Sequence, residues 1–207
     1  MISCHYQFST GYAKIRLLDK RGVCMFALSF NAGVIGVILG WVIFRYIASQ
    51  KADTFRWKTE AVQLLFLINL LVIYRMTFHP FEKVNGQVQP LLFDIATAWP
   101  FRVNLVPFVN LMDYDSKRDL LLNVIGNSTM FIPTGIMTPL IYRHIDSFKK
   151  VTLAGLLISL TIEIIQLPFA VRCSDVDDLI LNTVGCMAGY GIYALIKTCR
   201  RKSNNQK

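Results

Sequence analysis

Five long apolar runs constrain the fold of this 207-residue chain more than any other feature of its sequence. They extend over approximately residues 25–47, 60–77, 120–142, 151–168 and 179–196. A helix of about 20 mainly apolar residues spans a hydrocarbon core that is roughly 30 Å thick. The runs therefore predict an all-α fold, a polytopic transmembrane helical bundle with about five spans.

The overall composition supports a membrane location. Hydrophobic residues make up 54% of the chain and charged residues 17%, and the mean hydropathy is +0.44. A soluble domain carries about 25% charged residues. The formal net charge is +9, but the basic residues cluster between and beyond the apolar runs, and no basic–aromatic nucleic-acid module is visible. We expect a multi-pass protein of the cell membrane that contacts membrane lipid and binds no nucleic acid.

The Lys and Arg residues of the short loops predict an orientation. With five spans, the link 48–59, the turn 143–150 and the C-terminal tail share one side of the membrane, and all three are basic. Because cytoplasmic loops carry an excess of Lys and Arg, we place the C-terminus in the cytoplasm. The basic N-terminal segment would then lie outside, which argues against this orientation.

Small and helix-breaking residues add two local predictions. Gly33, Gly36 and Gly40 lie on nearly one face of the first run, and small residues at that spacing permit close helix packing in membranes. The stretch 78–119 contains four prolines, so a continuous helix is not expected there. It is still apolar, and we predict that it lies on the bilayer surface or folds back over the bundle.

The most informative stretch joins the fourth run to the fifth. Glu163 and Gln166 are three residues apart and share a helix face. Asp175, Asp178 and Asn182 follow at spacings of three and four, which again favours one face. Carboxylates and amides inside apolar spans are costly in hydrocarbon, so they normally face a protein interior or a water-filled cavity.

The predicted topology brings these residues to one depth. At 1.5 Å rise per residue, Glu163 lies roughly 7 Å below the outer end of the fourth span. Asn182 enters the fifth span from the same side, and Asn123 and Asn127 occupy the first turns of the third. Arg172 lies just above them, in the turn. Three helices thus present polar groups at a shared level in the outer leaflet, which we predict to be a ligand site.

The chemistry of this set leaves several alternatives open. Two carboxylates in different environments, Glu163 and Asp178, could divide acid and base roles. Carboxylate and Asn oxygens could instead hold a divalent cation, although no cofactor is predicted. Arg172 suits a phosphate or carboxylate. The structural alternative is that these groups only hydrogen-bond helix to helix.

Known intramembrane chemistries find little support in the sequence. No H-E-x-x-H motif and no phosphate-binding G-x-x-x-x-G-K-[ST] loop is present. The span residues Ser128 and Ser159 have no membrane histidine to activate them. The protein is therefore not expected to be an enzyme of a standard class.

Four ordered motifs resemble the VanZ-like family. They are Asn104-Leu-Val-Pro107-Phe, the third-run segment Asn123 to Gly135, Glu163-x-x-Gln166, and Arg172-x-x-Asp175-x-x-Asp178-x-x-x-Asn182-x-x-Gly185. In the third-run segment, Asn127, Phe131, Pro133 and Gly135 fit the family pattern N-x-x-x-F-x-P-x-G. No single motif is specific, but the ordered set is. The resemblance covers about two-thirds of the chain and implies a four-helix core, so the first span is identified as an addition.

The resemblance divides the chain into three regions. Residues 1–59 form a basic N-terminal segment with the extra helix at about 25–47, residues 60–198 form the VanZ-like membrane domain, and residues 199–207 form a basic cytoplasmic tail. It implies a small bacterial membrane protein whose namesake accompanies glycopeptide-resistance genes and lowers susceptibility to teicoplanin, a lipid-tailed glycopeptide. Pro107, Pro133, Gly135 and Gly185 are expected to have structural roles.

Two functional hypotheses follow. The favoured one is a non-enzymatic protein that binds an amphiphile at the outer leaflet, either a lipid-tailed antibiotic or a lipid-linked cell-wall precursor. Its ligand-binding residues would be Asn104, Asn123, Asn127, Glu163, Gln166, Arg172, Asp175, Asp178 and Asn182. The rival is an intramembrane enzyme acting on a lipid or lipid-linked substrate, with Glu163 and Asp178 as acid and base. The oligomeric state does not follow from the sequence.

Overall fold

The structure, a computed structural model, describes most of the apolar runs and parts of the segments between them. The described residues are 26–49, 57–79, 83–84, 87–88, 91–93, 103–108, 116–169 and 174–205. Arg172 and the basic N-terminal leader lie outside the described residues.

Five long helices form the described bundle, which confirms the all-α prediction. They are α1 (Phe30–Ser49), α2 (Trp57–Phe78), α3 (Lys117–Ile141), α4 (Phe148–Gln166) and α5 (Val176–Asn205). Within the described ranges, α1, α2, α3 and α5 are long and apolar enough to cross a membrane. Helix α4 has a similar length but carries Lys149, Lys150 and Glu163. The chain is a multi-pass membrane protein.

Large apolar side chains cover the outside of the bundle, as expected where helices face lipid. Ile35, Leu39 and Ile43 on α1 are each more than half exposed, and so are Leu64 and Leu65 on α2. A soluble protein rarely exposes contiguous apolar surface on this scale. The exposed face is therefore the surface that contacts hydrocarbon.

Short strands occupy the segments between the helices. They are β1 (Phe26–Leu28), β2 (Lys83–Val84), β3 (Gln87–Val88), β4 (Leu91–Phe93), β5 (Val103–Asn104) and β6 (Ser174–Asp175). β1 pairs with β4 and β2 with β3, both antiparallel, whereas β5 and β6 are parallel. Leu91 is fully buried and the ring of Phe93 contacts that of Phe169. This part of the stretch 78–119 folds back over the bundle.

Helices α3 and α5 form the most extensive contact of the bundle, and glycines make it possible. A Cβ atom at Gly135 would lie 2.0 Å from the carbonyl oxygen of Cys186. At Gly185 it would lie 1.9 Å from that of Ser128, and at Gly189 2.1 Å from that of Ile132. The two backbones thus approach where no side chain could fit. Gly135 and Gly185 lie at this close contact, and α3 continues through Pro133.

Helix α1 differs from the sequence prediction in two ways. It begins at Phe30, not near residue 25, because Phe26–Leu28 pair with β4 and are extended. Its glycine face is only partly used for packing. A Cβ atom at Gly33 would collide with the Tyr74 hydroxyl, but at Gly36 and Gly40 it would meet nothing within 4 Å. Among the described residues, close packing therefore uses Gly33, whereas α1 stands away from its neighbours at Gly36 and Gly40.

Two polar contacts hold the helix ends at the basic end of the bundle. The Arg45 guanidinium donates through Nη2 to both carboxylate oxygens of Glu60, at 2.7 Å each, and so joins α1 to α2. Lys197 on α5 donates to Asp146 in the α3–α4 loop, and the Tyr193 hydroxyl donates to the same carboxylate at 3.2 Å. The hydrogen bond from Lys197 lowers the pKa of Asp146 below its ordinary value.

Candidate functional site

The candidate site lies at the opposite end, where β5 pairs with β6. Val103 is aligned with Ser174, and Asn104 with Asp175. The Asn104 amide donates to Asp175 Oδ1 at 3.2 Å, and its Oδ1 accepts from the backbone N–H of Val106 at 3.1 Å. Two motifs about 70 residues apart are thus joined directly, and the Asn104 side chain shapes the turn that follows it.

A second contact fixes the end of that turn. Phe108 has a φ of 67°, the left-handed conformation that a bulky residue rarely adopts. Its backbone N–H donates to Asp177 Oδ1 at 2.7 Å. Asp177 is 3% exposed and lies in the first turn of α5. Its carboxylate therefore stabilises a backbone conformation that Phe108 would otherwise leave.

Asp175 begins α5 and links it to α4. It precedes the first helical residue, and its Oδ1 accepts from the backbone N–H of Asp177 at 3.0 Å, which is N-cap geometry. Its own N–H donates to Glu163 Oε2 at 3.1 Å, and the Ser174 hydroxyl donates to the Glu163 backbone carbonyl at 2.7 Å. The buried Glu163 carboxylate thus fixes the start of α5 against the end of α4.

The amides of the third and fifth predicted spans also join the network. Asn127 on α3 donates to the carboxylate of Asp178 on α5. Asn182, one turn deeper on α5, donates to the Ser159 hydroxyl on α4 at 2.9 Å, and both residues are fully buried. Helices α3, α4 and α5 therefore bring polar groups together at one end of the bundle.

Other predicted site residues are placed differently. Gln166 is buried but donates at 3.1 Å to the backbone carbonyl of Thr77 at the end of α2. Asn123 is half-buried in α3, and its side chain forms no hydrogen bond to another described residue. Arg172 lies outside the part of the chain that the structure describes. Pro107 is exposed in the turn between Asn104 and Phe108.

Sequence reasoning missed three members of the network. All three side chains are buried and hydrogen-bonded. Asp177 accepts from Phe108, Ser174 donates to Glu163, and Ser159 accepts from Asn182. The i, i+3, i+4 spacing that selected Asp175, Asp178 and Asn182 does not include Asp177. A local pattern could have indicated Asp177: Asp175 is an N-cap residue, and acidic residues are favoured in the first turn of the helix that follows.

Several buried oxygens of the site accept no hydrogen bond from the residues that the structure describes. They are Oδ2 of Asp177, Oδ1 of Asn182 and Oε1 of Gln166. Unsatisfied buried acceptors are costly and rare in proteins. In the described part of the chain, no group of three or more His, Cys, Asp or Glu side chains could hold a metal ion. The free acceptors can receive hydrogen bonds from donor groups of a ligand.

Apolar side chains project from the turn that covers this network. Leu105 is 74% exposed, Val106 58% and Phe108 51%. The turn is held to the bundle through Asn104 and Asp177, so this apolar group has a fixed place beside the acidic residues. We call residues 103–108 the apolar turn.

Comparison with known proteins identifies the family. The profile of the VanZ/LLP1 family matches residues 66–197. The chain belongs to the VanZ/LLP1 family. "Protein VanZ" of Enterococcus faecium is 31% identical over 145 residues, which are 69% of this chain and 75% of that protein. No solved structure matches the chain.

The match confirms the family recognised from the four motifs. It covers the apolar turn, Asn127, Glu163 and the start of α5, and so contains the whole polar network. Helix α1 precedes the matched region. The VanZ/LLP1 part of the chain is therefore the part that builds the candidate site.

Proposed function

We propose that this VanZ/LLP1 protein binds an amphiphile at the outer leaflet and thereby contributes to glycopeptide resistance or envelope homeostasis. The ligand is a lipid-tailed glycopeptide antibiotic such as teicoplanin, or a lipid-linked cell-wall intermediate. The observation that carries this proposal is the apolar turn, whose exposed side chains are fixed directly beside a buried network of carboxylates and amides.

The apolar turn supports the lipid-binding half of the proposal. Leu105, Val106 and Phe108 expose aliphatic and aromatic surface at one end of a membrane bundle, where acyl chains meet headgroups. Burying such a side chain contributes about 1.5–3 kcal/mol. An acyl tail lying against the turn would therefore gain binding energy that a tail-less ligand could not.

The polar network supports recognition of a headgroup. The free acceptors of Asp177 and Asn182 suit hydroxyl, amide or ammonium donors, which sugars and peptides carry in abundance. Arg172, two residues before the network begins at Ser174, would contact an anionic group of the same ligand. The side chains thus match a ligand with a tail and a polar, hydrogen-bonding head.

Antibiotic susceptibility tests the proposal. The wild type, Arg172→Ala and the matched control Arg201→Ala, on the exposed tail of α5, are expressed in a susceptible bacterium at equal membrane levels. We expect the wild type and Arg201→Ala to raise the teicoplanin concentration needed for inhibition, and Arg172→Ala to lose most of that effect. Equal protection by all three would remove Arg172 from the site, and no protection by any would refute the antibiotic ligand.

The catalytic alternative has one observation in its favour, the burial of Glu163 within a network that also contains Asp178. The two hypotheses differ for Glu163→Gln. In the binding proposal Glu163 accepts a hydrogen bond from Asp175 N–H, and Gln keeps an acceptor, so protection is retained while Glu163→Leu loses it. An acid or base at this position would be inactivated by either substitution. Protection measured for both variants, with membrane levels as the control, separates the two functions.

A further inference from the structure

The basic end of the bundle contains a cavity that the proposed function does not use. It has a volume of about 370 Å³ and lies where α1, α2, α3 and α4 meet. Trp41 and Phe44 of α1, Phe66 and Leu70 of α2, Ile141 of α3 and Ile158 of α4 supply most of its wall. Ligand pockets in proteins measure about 300–1,000 Å³ and are mainly apolar.

The cavity exists because α1 stands away from its neighbours there. Gly40 lines it, and a Cβ atom at Gly40 would meet nothing within 4 Å. An apolar cavity that borders the bilayer can accept lipid acyl chains, which enter it without exposing apolar surface to water. The occupant is therefore expected to come from the membrane.

Two polar groups lie on the same wall. Gln63 is 9% exposed and lines the cavity, and its side-chain oxygen Oε1 has no hydrogen-bond partner among the described residues. Arg45 also lines it and uses Nη2 for both of its hydrogen bonds to Glu60. Within the described residues, Nε and Nη1 of Arg45 donate to no other group. An acceptor and a set of guanidinium donors are thus available to a ligand.

The charge around the cavity selects the kind of lipid. Exposed basic residues surround this end, whereas its acidic residues Glu60 and Asp146 are already paired. The exposed basic residues are Lys58, Arg143, Lys149 and Lys150. Basic sites between transmembrane helices bind anionic headgroups.

We propose that this cavity binds an anionic phospholipid, with one acyl chain inside it, the phosphate on the unused donors of Arg45, and a headgroup hydroxyl donating to Gln63. This site lies at the end of the bundle opposite the apolar turn and does not depend on the proposed function.

Fluorescence quenching of Trp41 tests this lipid site. The chain has three tryptophans, so Trp57→Phe with Trp99→Phe leaves Trp41 alone in the cavity wall. The purified protein in detergent is titrated with phosphatidylglycerol or phosphatidylcholine brominated on one acyl chain. We expect saturable quenching by both lipids, with half-saturation at an about fivefold lower mole fraction for phosphatidylglycerol, since one basic side chain near a surface contributes about 1 kcal/mol.

Matched glycine variants distinguish lipid binding in the cavity from a general effect of substitution in α1. Gly40→Leu places a side chain in the cavity and should abolish saturable quenching. Gly36→Leu, one turn earlier, also points into open space but does not line the cavity, so it should bind like the parent. Unchanged binding by Gly40→Leu, or equal loss in both variants, would overturn the site.

A third variant tests the role of Arg45 even if Gly40→Leu fails to fold. Glu60→Gln removes the carboxylate that competes for the Arg45 guanidinium, so the half-saturating fraction of phosphatidylglycerol should fall further. That of phosphatidylcholine should fall less, because its phosphate reaches the same donors but its choline carries an opposing positive charge. Equal half-saturation of the two lipids in the parent protein, or no response to Glu60→Gln, would overturn the anionic assignment.

Discussion

Asp177 is the residue on which the geometry of the candidate site most depends. Its Oδ1 accepts the N–H of Phe108, a residue in the left-handed conformation, and its burial leaves little room for water to replace it. A conformation of this kind costs of order 1–3 kcal/mol unless its surroundings impose it. The carboxylate therefore holds the apolar turn in place, whatever ligand the site takes.

Substitutions at Asp177 should release or retain the turn according to their hydrogen-bonding capacity. Asp177→Ala leaves the Phe108 N–H without its acceptor, at a cost of about 1–3 kcal/mol, so amide hydrogen exchange at Phe108 should accelerate about 5–150-fold. Asp177→Asn keeps an acceptor and should exchange nearly as slowly as the wild type. Equal acceleration in both variants would show that the charge, and not the hydrogen bond, fixes the turn.

The polar residues of the candidate site could be predicted from the sequence more easily than the groups that they contact. Helical spacing and apolar context selected Glu163, Asp178, Asn127 and Asn182, and all four form hydrogen bonds at the same end of the bundle. A local pattern could have marked Asp177 as an acidic residue of a first helical turn, but not its partner, which is the backbone of a turn about 70 residues away. Backbone contacts of this kind become visible only once the chain is folded.

At the scale of elements, the pair α3–α5 sets the frame of the site. Gly185 and Gly189 form a small-xxx-small motif, the arrangement that lets transmembrane helices approach closely. Close approach brings Asn127 within reach of Asp178. Backbone proximity and the polar network are thus two consequences of the same glycines.

Adding one methyl group at Gly185 should destabilise the protein. The Cβ atom of Gly185→Ala would lie 1.9 Å from the Ser128 carbonyl oxygen, so the helices must separate, and overpacking costs about 1–3 kcal/mol. Gly126→Ala, on α3, meets nothing within 4 Å and serves as the control. Thermal unfolding in detergent should show a lower midpoint for Gly185→Ala alone; equal midpoints for the two variants would contradict the packing described.

The element boundaries show what apolar runs cannot predict. The runs located all five helices, but α5 begins at Val176 instead of near residue 179, because Asp175 caps the helix and its polar first turn belongs to it. Likewise, the parallel pairing of β5 with β6 follows from tertiary packing. The hydropathy of a segment indicates whether it lies in lipid. N-caps and strand pairs instead supply hydrogen bonds to backbone N–H and C=O groups outside the lipid.

At the scale of the whole molecule, the two ends of the bundle have opposite chemistry. Helix α5 starts in the acidic network at Val176 and carries Arg200, Arg201 and Lys202 near its other end, about 38 Å away along its axis. The excess of Lys and Arg predicts that the second end is cytoplasmic. The apolar turn would then face the outer leaflet, where an antibiotic or a cell-wall intermediate is met.

Cysteine labelling can determine this orientation. In a background with the five native cysteines replaced by Ser, Leu105→Cys and Ser203→Cys place single thiols at exposed positions on opposite ends. A membrane-impermeant maleimide should label Leu105→Cys in intact cells and Ser203→Cys only after permeabilisation. The reverse pattern would place the apolar turn in the cytoplasm and refute an outer-leaflet site.

Direct binding by the purified protein tests the central claim, an amphiphile site formed by the apolar turn and the polar network. The protein in lipid nanodiscs is titrated with teicoplanin, with its deacylated form, and with a lipid-linked cell-wall precursor. Leu105→Ser alters the turn, and Leu195→Ser, similarly exposed near the other end of α5, is the control. We expect saturable binding of a tailed ligand, with an affinity that falls about tenfold or more without the tail or with Leu105→Ser, since burying one such side chain contributes about 1.5–3 kcal/mol. Absence of saturable binding, or equal affinity for tailed and tail-less ligands, would contradict it.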